Sequence, residues 1–415
     1  MTMTIPYGKT HLDLALPPDA DVTILQPHAT PPAPDAAEAV RAALESVDWA
    51  RHTGARSAAI AINDKTRPVP HDVLLPPLLE KLHAIGIPRE RVIFCIANGS
   101  HPPMTPDEYG MILPAAIHSR YRIISHNVDD EEKIIRLGLT RFGSVVSINR
   151  AYFEANLKIV VGNVEPHQFA GFSGGVKSAV IGLAGWDTIT KNHQMMTHPQ
   201  AGLGLYDENP VRQDIEDMGR VVGIHLALNV VMNGQKEIVQ VFCGTPDRVM
   251  RMAIPLVRQV YELPVSAPFD IVIASPGGHP KDLNIYQAQK ALGHAVKVSR
   301  EGGAVILAAA CTEGSGSKKY EAFLAALAPQ DRTHERVIAT FTAQGYRVGP
   351  HKAYQIARDS LNRRVIWITD LPDPDFYLME STLTLREALR RVYPDCGKRI
   401  AVIPYANATI PTVQK

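Results

Sequence analysis

Residues 57–68 read S-A-A-I-A-I-N-D-K-T-R-P, and the change of character at Asn63 decides how the chain is built. An unbroken run of small and β-branched residues suits a strand covered on both faces, the situation in a parallel sheet, where strands do not alternate between apolar and polar positions. The polar loop that follows is closed by proline. Residues 72–85 then carry a helical pattern, and R-V-I-F-C-I at 91–96 reads as the next strand. Strand, helix and strand in that order make one βαβ unit.

Outward from this unit the alternation persists. A strand at 157–161 runs into a glycine-rich loop, 223–241 forms a hairpin around M-N-G-Q at 232–235, and a helix covers 247–261. The pattern breaks at E-L-P-V-S-A-P (262–268) and resumes with a strand at 269–275, a helix from Tyr286, a strand at 303–309, helices at 319–327 and 334–344, and a strand at 365–369. The expected fold is therefore α/β, with two lobes of mostly parallel sheet and an active-site cleft between them. Residues 1–262 form the first lobe and 268–397 the second, with the strand within 398–415 returning to the first. P-H-A-T-P-P-A-P at 27–34 reads as a surface linker.

The composition narrows the function. The chain has 415 residues with 43 Lys plus Arg against 42 Asp plus Glu, a net charge of +1. These charges are interspersed, so a phosphate-binding basic tract and nucleic-acid binding are not expected. No apolar run approaches the ~20 residues that span a bilayer, and the N-terminus has no secretory signal pattern, which gives no membrane partner and a cytoplasmic expectation. The 4 cysteines lie far apart in sequence, so a metal would have to rely on the 16 histidines.

In open α/β sheets ligands bind beyond the carboxyl ends of strands, and the polar loops lie there. Behind the strand at 57–62, Arg67 can fork onto a carboxylate or phosphate with Asp64 beside it. Behind the strand at 91–96, A-N-G-S-H (97–101) brings His101 over the strand ends, where it can exchange protons near neutrality. Behind 157–161 stands G-N-V-E-P-H-Q-F-A-G-F-S-G-G-V-K-S (162–178), in which Gly171, Gly174 and Gly175 could let backbone amides surround an anion beside Lys177. Aligned on Gly171, the P-loop pattern requires glycine where Val176 stands, so a nucleotide-dependent phosphotransferase using Gly171 to Ser178 is the rival reading, with Asp370 as its acidic partner. His193 and His198 are five apart, a poor fit to one helical face. Gln287 and Lys290, three apart at a helix start, form an anion receptor.

D-K-T-R-P at 64–68, G-S-H at 99–101, E-P-H-x-x-x-G-F-S-G-G-x-K at 165–177, N-H at 192–193 and D-L-N-I-Y-Q-A-Q-K at 282–290 together resemble the nickel-dependent lactate racemase family. The resemblance extends over almost the whole chain. It implies a nickel-pincer nucleotide (pyridinium-3,5-bisthiocarboxylic acid mononucleotide nickel) as cofactor, supplied by maturation enzymes, and a small 2-hydroxy acid as substrate. It further implies Lys177 as the covalent cofactor lysine, His193 as the nickel ligand, and His101 and His167 as the acid/base pair. Asp64, Arg67, Tyr286, Gln287 and Lys290 are implied to bind substrate or orient a histidine, and Gly174 and Gly175 to approach the cofactor. Ile181 stands where the family has proline, and no tryptophan matches the one beside the substrate in lactate enzymes, Trp367 falling inside a strand. A non-catalytic carrier of nickel or cofactor is the third reading. Substrate identity and oligomeric state are left open.

Overall fold

The computed structural model describes residues 3–414, which divide into two compact units: Ala29–Val260, and the remainder, joining residues up to His28 with those from Tyr261 onward. Each unit is built on a six-stranded sheet.

In the Ala29–Val260 unit the strands lie in the order Ile238–Gly244, Leu226–Met232, Leu157–Asn163, Ala58–Asn63, Val92–Ala97, Arg122–Ser125. All neighbours are parallel except the hairpin at the first edge. The chain steps outward from Ala58–Asn63 through two strands, then returns to lay Leu157–Asn163 on the other side. This reversal creates a topological switch point between Ala58–Asn63 and Leu157–Asn163. Every residue of both strands is buried, as the unbroken apolar run requires. Ala58, Ile60 and Ile62 share a core with Leu74, Leu75 and Leu78 of helix His71–Ala84.

The other unit's sheet runs Glu380–Thr382, Arg364–Ile368, Ser299–Ala308, Phe269–Ala274, Arg399–Ile403, Asp21–Ile24, all parallel. Its switch point lies between Phe269–Ala274 and Arg399–Ile403. Two boundary expectations are corrected here. Strand Arg399–Ile403 does not return to the first unit: Ile400 to Ile403 are fully buried and pair with Ile271 to Ala274. Nor do residues 3–28 belong with the first unit, because Asp21–Ile24 pairs with the far side of that same strand. A central parallel strand needs hydrogen-bonded neighbours on both edges, and Asp21–Ile24, from the opposite end of the chain, supplies the second one for Arg399–Ile403 and forms the sheet's edge. The proline-rich stretch at 27–34 contains the crossing between units, at His28 and Ala29.

Each unit also buries a histidine that the sequence reading assigned no role. His71 donates Nδ1–H to the Ile112 carbonyl at 2.9 Å and leaves buried Nε2 without a partner, and His294 donates to the Ala406 carbonyl at 2.5 Å. Burial pushes both rings down to about 4. Because the folded-state values lie below the unfolded value near 6.5, the unfolded chain binds more protons between the two, and stability is lost as pH falls through that window. Each histidine contributes up to about 3 kcal/mol of this loss. Urea unfolding at pH 7 and pH 5 should show it, and His71→Gln should reduce the difference; an unchanged difference in the variant would refute the assignment.

Candidate active site

The sequence-selected loops of the Ala29–Val260 unit gather at its switch point. The strands ending at Asn63 and Asn163 are tied there by their terminal side chains: Asn63 Nδ2 donates to Asn163 Oδ1 at 3.3 Å, and Ser178 Oγ donates to Asn63 Oδ1 at 3.3 Å. One residue beyond, Asp64 is 3% exposed and its Oδ2 lies 2.7 Å from His101 Nδ1. Its other oxygen accepts from the Thr66 hydroxyl at 2.7 Å and the Thr66 amide at 3.1 Å. Burial alone would raise the Asp64 carboxyl, but the His101 ring, the Thr66 hydroxyl and the Arg67 charge outweigh it and hold the group below the ordinary carboxylate range. An ionised Asp64 only accepts, so His101 carries its proton on Nδ1 and presents the Nε2 lone pair as a base. Arg67 is exposed in the turn that Asp64 begins.

His167 has the opposite arrangement. The Ala170 amide donates to His167 Nδ1 at 3.2 Å, so the neutral ring carries its proton on Nε2. Phe169 stands edge-on to both remaining histidines, its ring centroid 4.7 Å from that of His167 and 5.0 Å from that of His193. His193 lies near the end of helix Trp186–Gln194 with Nδ1 3.2 Å from Asn192 Oδ1. His198 falls beyond that helix, exposed, with Nδ1 accepting from the Gln200 amide at 3.2 Å.

Lys177 is buried at the first position of the short helix Lys177–Val180, which packs on both switch-point strands. Its loop is held from below by residues that the sequence reading missed. Fully buried Arg212 donates to the carbonyls of Phe172 at 3.0 Å and Gly174 at 3.2 Å, Asn209 donates to the Phe169 carbonyl at 2.9 Å, and Asn229 accepts the Gly175 amide at 2.7 Å. Nothing in the motif spacing marks them, because they come from helix Pro210–Val222 and the neighbouring strand. They also give Gly174 and Gly175 an internal purpose: a Cβ at Gly174 would lie 2.7 Å from Val164, and one at Gly175 2.8 Å from Met250. The Gly175 amide is spent on Asn229, so it is not a donor to a bound anion. The phosphate-cradle reading weakens accordingly. The Ser173 amide is also used, on the Glu165 carbonyl at 2.8 Å, and Val176 takes an ordinary right-handed helical conformation. Ile181 caps the short helix in the same region of backbone space.

In the other unit, Tyr286, Gln287 and Lys290 occupy the first turns of helix Ile285–Ala295, directly behind the switch-point strand Phe269–Ala274. Asn284 caps the helix through the Gln287 amide at 3.1 Å, and Lys290 Nζ donates to Gln287 Oε1 at 2.5 Å. The Tyr286 ring lies below the Lys352 ammonium, 4.8 Å away, and edge-on to His351. Among the described residues no three His, Cys, Asp or Glu side chains are grouped to hold a metal ion, and no helix is long and apolar enough to cross a membrane.

These features describe an α/β protein of mostly parallel sheets with hydrogen-bonded histidines in the loops behind its strands. Residues 7–204 match the family model for the lactate racemase N-terminal domain and 265–410 that for the lactate racemase C-terminal domain. A lactate racemase from Lactiplantibacillus plantarum is 32% identical over 360 residues, 85% of this chain and 84% of that protein. One from Thermoanaerobacterium thermosaccharolyticum is 30% identical over 399 residues, 93% of each. The structure of the lactate racemase apoprotein from the latter organism superposes with a TM-score of 0.91 at 27% identity over the whole of both chains. A Thermotoga maritima protein shares the fold at a TM-score of 0.69 and 16% identity, covering 91% of this chain and 97% of its own. The chain belongs to the lactate racemase family.

Proposed function

We propose that the protein is a racemase or epimerase of a 2-hydroxy acid, lactate or a close relative, working in the cytoplasm with a nickel-pincer nucleotide received from maturation enzymes. The observation that carries this reading is the Asp64–His101 pair at 2.7 Å, a base with a fixed tautomer at the switch point of a lactate racemase family chain. A carrier of nickel or cofactor would have no use for such a base.

The donor set fits the cofactor. The family resemblance implies a nickel held mainly by a carbon and two sulfurs of the pincer, a group that asks the protein for a single imidazole and an amine, and His193 and Lys177 offer these. His193 would supply the protein's ligand, and the Lys177 amine would hold the nucleotide. When bound, this group supplies a pyridinium ring that takes the C2 hydrogen with its electron pair and gives it back.

The chain's own residues handle the hydroxyl proton and the carboxylate. His101 Nε2 accepts the hydroxyl proton of one enantiomer, and Asp64 stabilises the resulting imidazolium. His167 serves the other enantiomer, whose hydroxyl occupies the mirror-related position. Within its own unit each of Arg67 and Lys290 is a carboxylate-binding cation, Lys290 with Tyr286 and Gln287 beside it on one helix, and holding the carboxylate limits the planar 2-oxo acid to exchange of its faces.

Neither histidine touches the C2 hydrogen in this scheme. Cofactor-loaded protein inverting lactate in D2O should therefore give product with almost no deuterium at C2, read by mass spectrometry or proton NMR. Extensive solvent deuterium in the inverted product would indicate direct proton abstraction instead, and no inversion of any 2-hydroxy acid would count against the racemase itself.

A further inference from the structure

We propose that Asp214 is a positioning residue for His193: through Asn192 it fixes the imidazole with its proton on Nδ1 and leaves the Nε2 lone pair for nickel. The inference rests on the reading of His193 as the metal ligand, and it adds two buried residues behind that ligand.

Asn192 is fully buried, and its Nδ2 lies 3.0 Å from the Val211 carbonyl oxygen and 2.9 Å from Asp214 Oδ2. A carbonyl and an ionised carboxylate can only accept. The nitrogen of the amide must therefore face them, which removes the usual ambiguity between amide oxygen and nitrogen. Oδ1 is left as the atom 3.2 Å from His193 Nδ1. An amide oxygen has no hydrogen to give, so that ring nitrogen carries one, and the neutral ring's lone pair is on Nε2.

Asp214 and the Val211 carbonyl together determine which way the amide points. It is fully buried, and its oxygens accept from Thr140 Oγ at 2.6 Å and Ser144 Oγ at 2.9 Å as well as from Asn192. Thr140 and Ser144 flank the turn between strands Ile134–Leu139 and Val145–Asn149. Three neutral donors converge on a buried carboxylate, and among the described residues no cation is paired with it. Such a group is costly to bury. Sewing the turn to helix Pro210–Val222 accounts for the two hydroxyls, but not for the third donor, which belongs to the residue adjoining His193. An asparagine at 214 could turn its own NH2 toward Asn192 and oppose the orientation that the Val211 carbonyl alone would then favour, loosening the proton position on His193. Support of this kind behind a ligating histidine is worth about 10–100-fold in metal affinity.

The test combines two readouts on the full-length protein. With 15N-histidine labelling and no nickel, long-range proton–nitrogen spectra, assigned by comparison with His193→Gln, should show His193 in the Nδ1–H tautomer. Asp214→Asn and Asn192→Ala should give a mixture of tautomers, and after cofactor loading and dialysis the nickel retained should fall about tenfold or more. Thr140→Val removes one hydrogen bond to the same carboxylate and controls for a purely structural role: it should lower thermal stability while leaving the tautomer and nickel content unchanged. If Asp214→Asn does not fold, Asn192→Ala decides the question. A folded Asn192→Ala or Asp214→Asn protein with wild-type tautomer and nickel content would overturn the proposal. Wild-type nickel in His193→Ala would instead overturn the ligand reading, and the nickel-free spectra would still decide whether Asp214 and Asn192 set the tautomer.

Discussion

Racemisation by His101→Ala is expected to fall about 10²–10⁴-fold, the usual range for loss of a positioned general base. Both directions must fall together in kcat/KM, because the equilibrium constant between enantiomers is one. The protein should remain folded, since His101 is partly exposed and its principal side-chain contact is with Asp64. Asp64→Asn should come close to the same loss without removing the ring. The amide can turn its NH2 toward Nδ1, which favours the tautomer with the proton on Nε2 and blocks the lone pair that receives the hydroxyl proton; in serine proteases the corresponding change costs about 10⁴-fold. Circular dichroism would verify folding, and polarimetry or chiral chromatography would give turnover. Wild-type turnover in either variant would remove the pair from the mechanism.

The largest effect on stability is expected at Gly171. Its φ is +74°, and a Cβ there would lie 1.7 Å from the Leu205 carbonyl oxygen and 2.7 Å from its carbonyl carbon. Both are backbone atoms and cannot turn aside as a long side chain could. Alanine would add the left-handed penalty of about 1–2 kcal/mol to an overlap that only separation of the two segments relieves. The total is expected above about 4 kcal/mol, in the exceptional tail of single substitutions. Separation would also shift the loop that carries His167, Phe169 and Lys177. Gly86 makes the comparison, having φ of +93° but nothing within 4 Å of its would-be Cβ; Gly86→Ala should lose only the conformational part. Thermal unfolding of both variants would compare the two effects, and equal melting temperatures would show that the contact with Leu205 yields cheaply.

The α/β class and the stations of the site are legible in short runs of consecutive residues. An unbroken apolar run at 58–62 admits only a strand covered on both faces, and the polar residues directly behind it, Asp64 and Arg67, had to emerge at a carboxyl end. The same local logic located His101, His167, Lys177 and Lys290, because strand ends and helix starts are written in a few consecutive residues. Where the histidines among those stations carry their protons depends on contacts made in the folded chain. Whether a histidine presents a lone pair or an N–H depends on what lies behind Nδ1: Asp64 for His101, the Ala170 amide for His167 and Asn192 for His193. The supports of the glycine-rich loop, Arg212 and Asn229, come from elements far along the chain. The parallel pairing of Asp21–Ile24 with Arg399–Ile403 was equally illegible. Local sequence specifies that each is a strand, but its neighbour is chosen by which edge is left to cover once the rest of the sheet has formed.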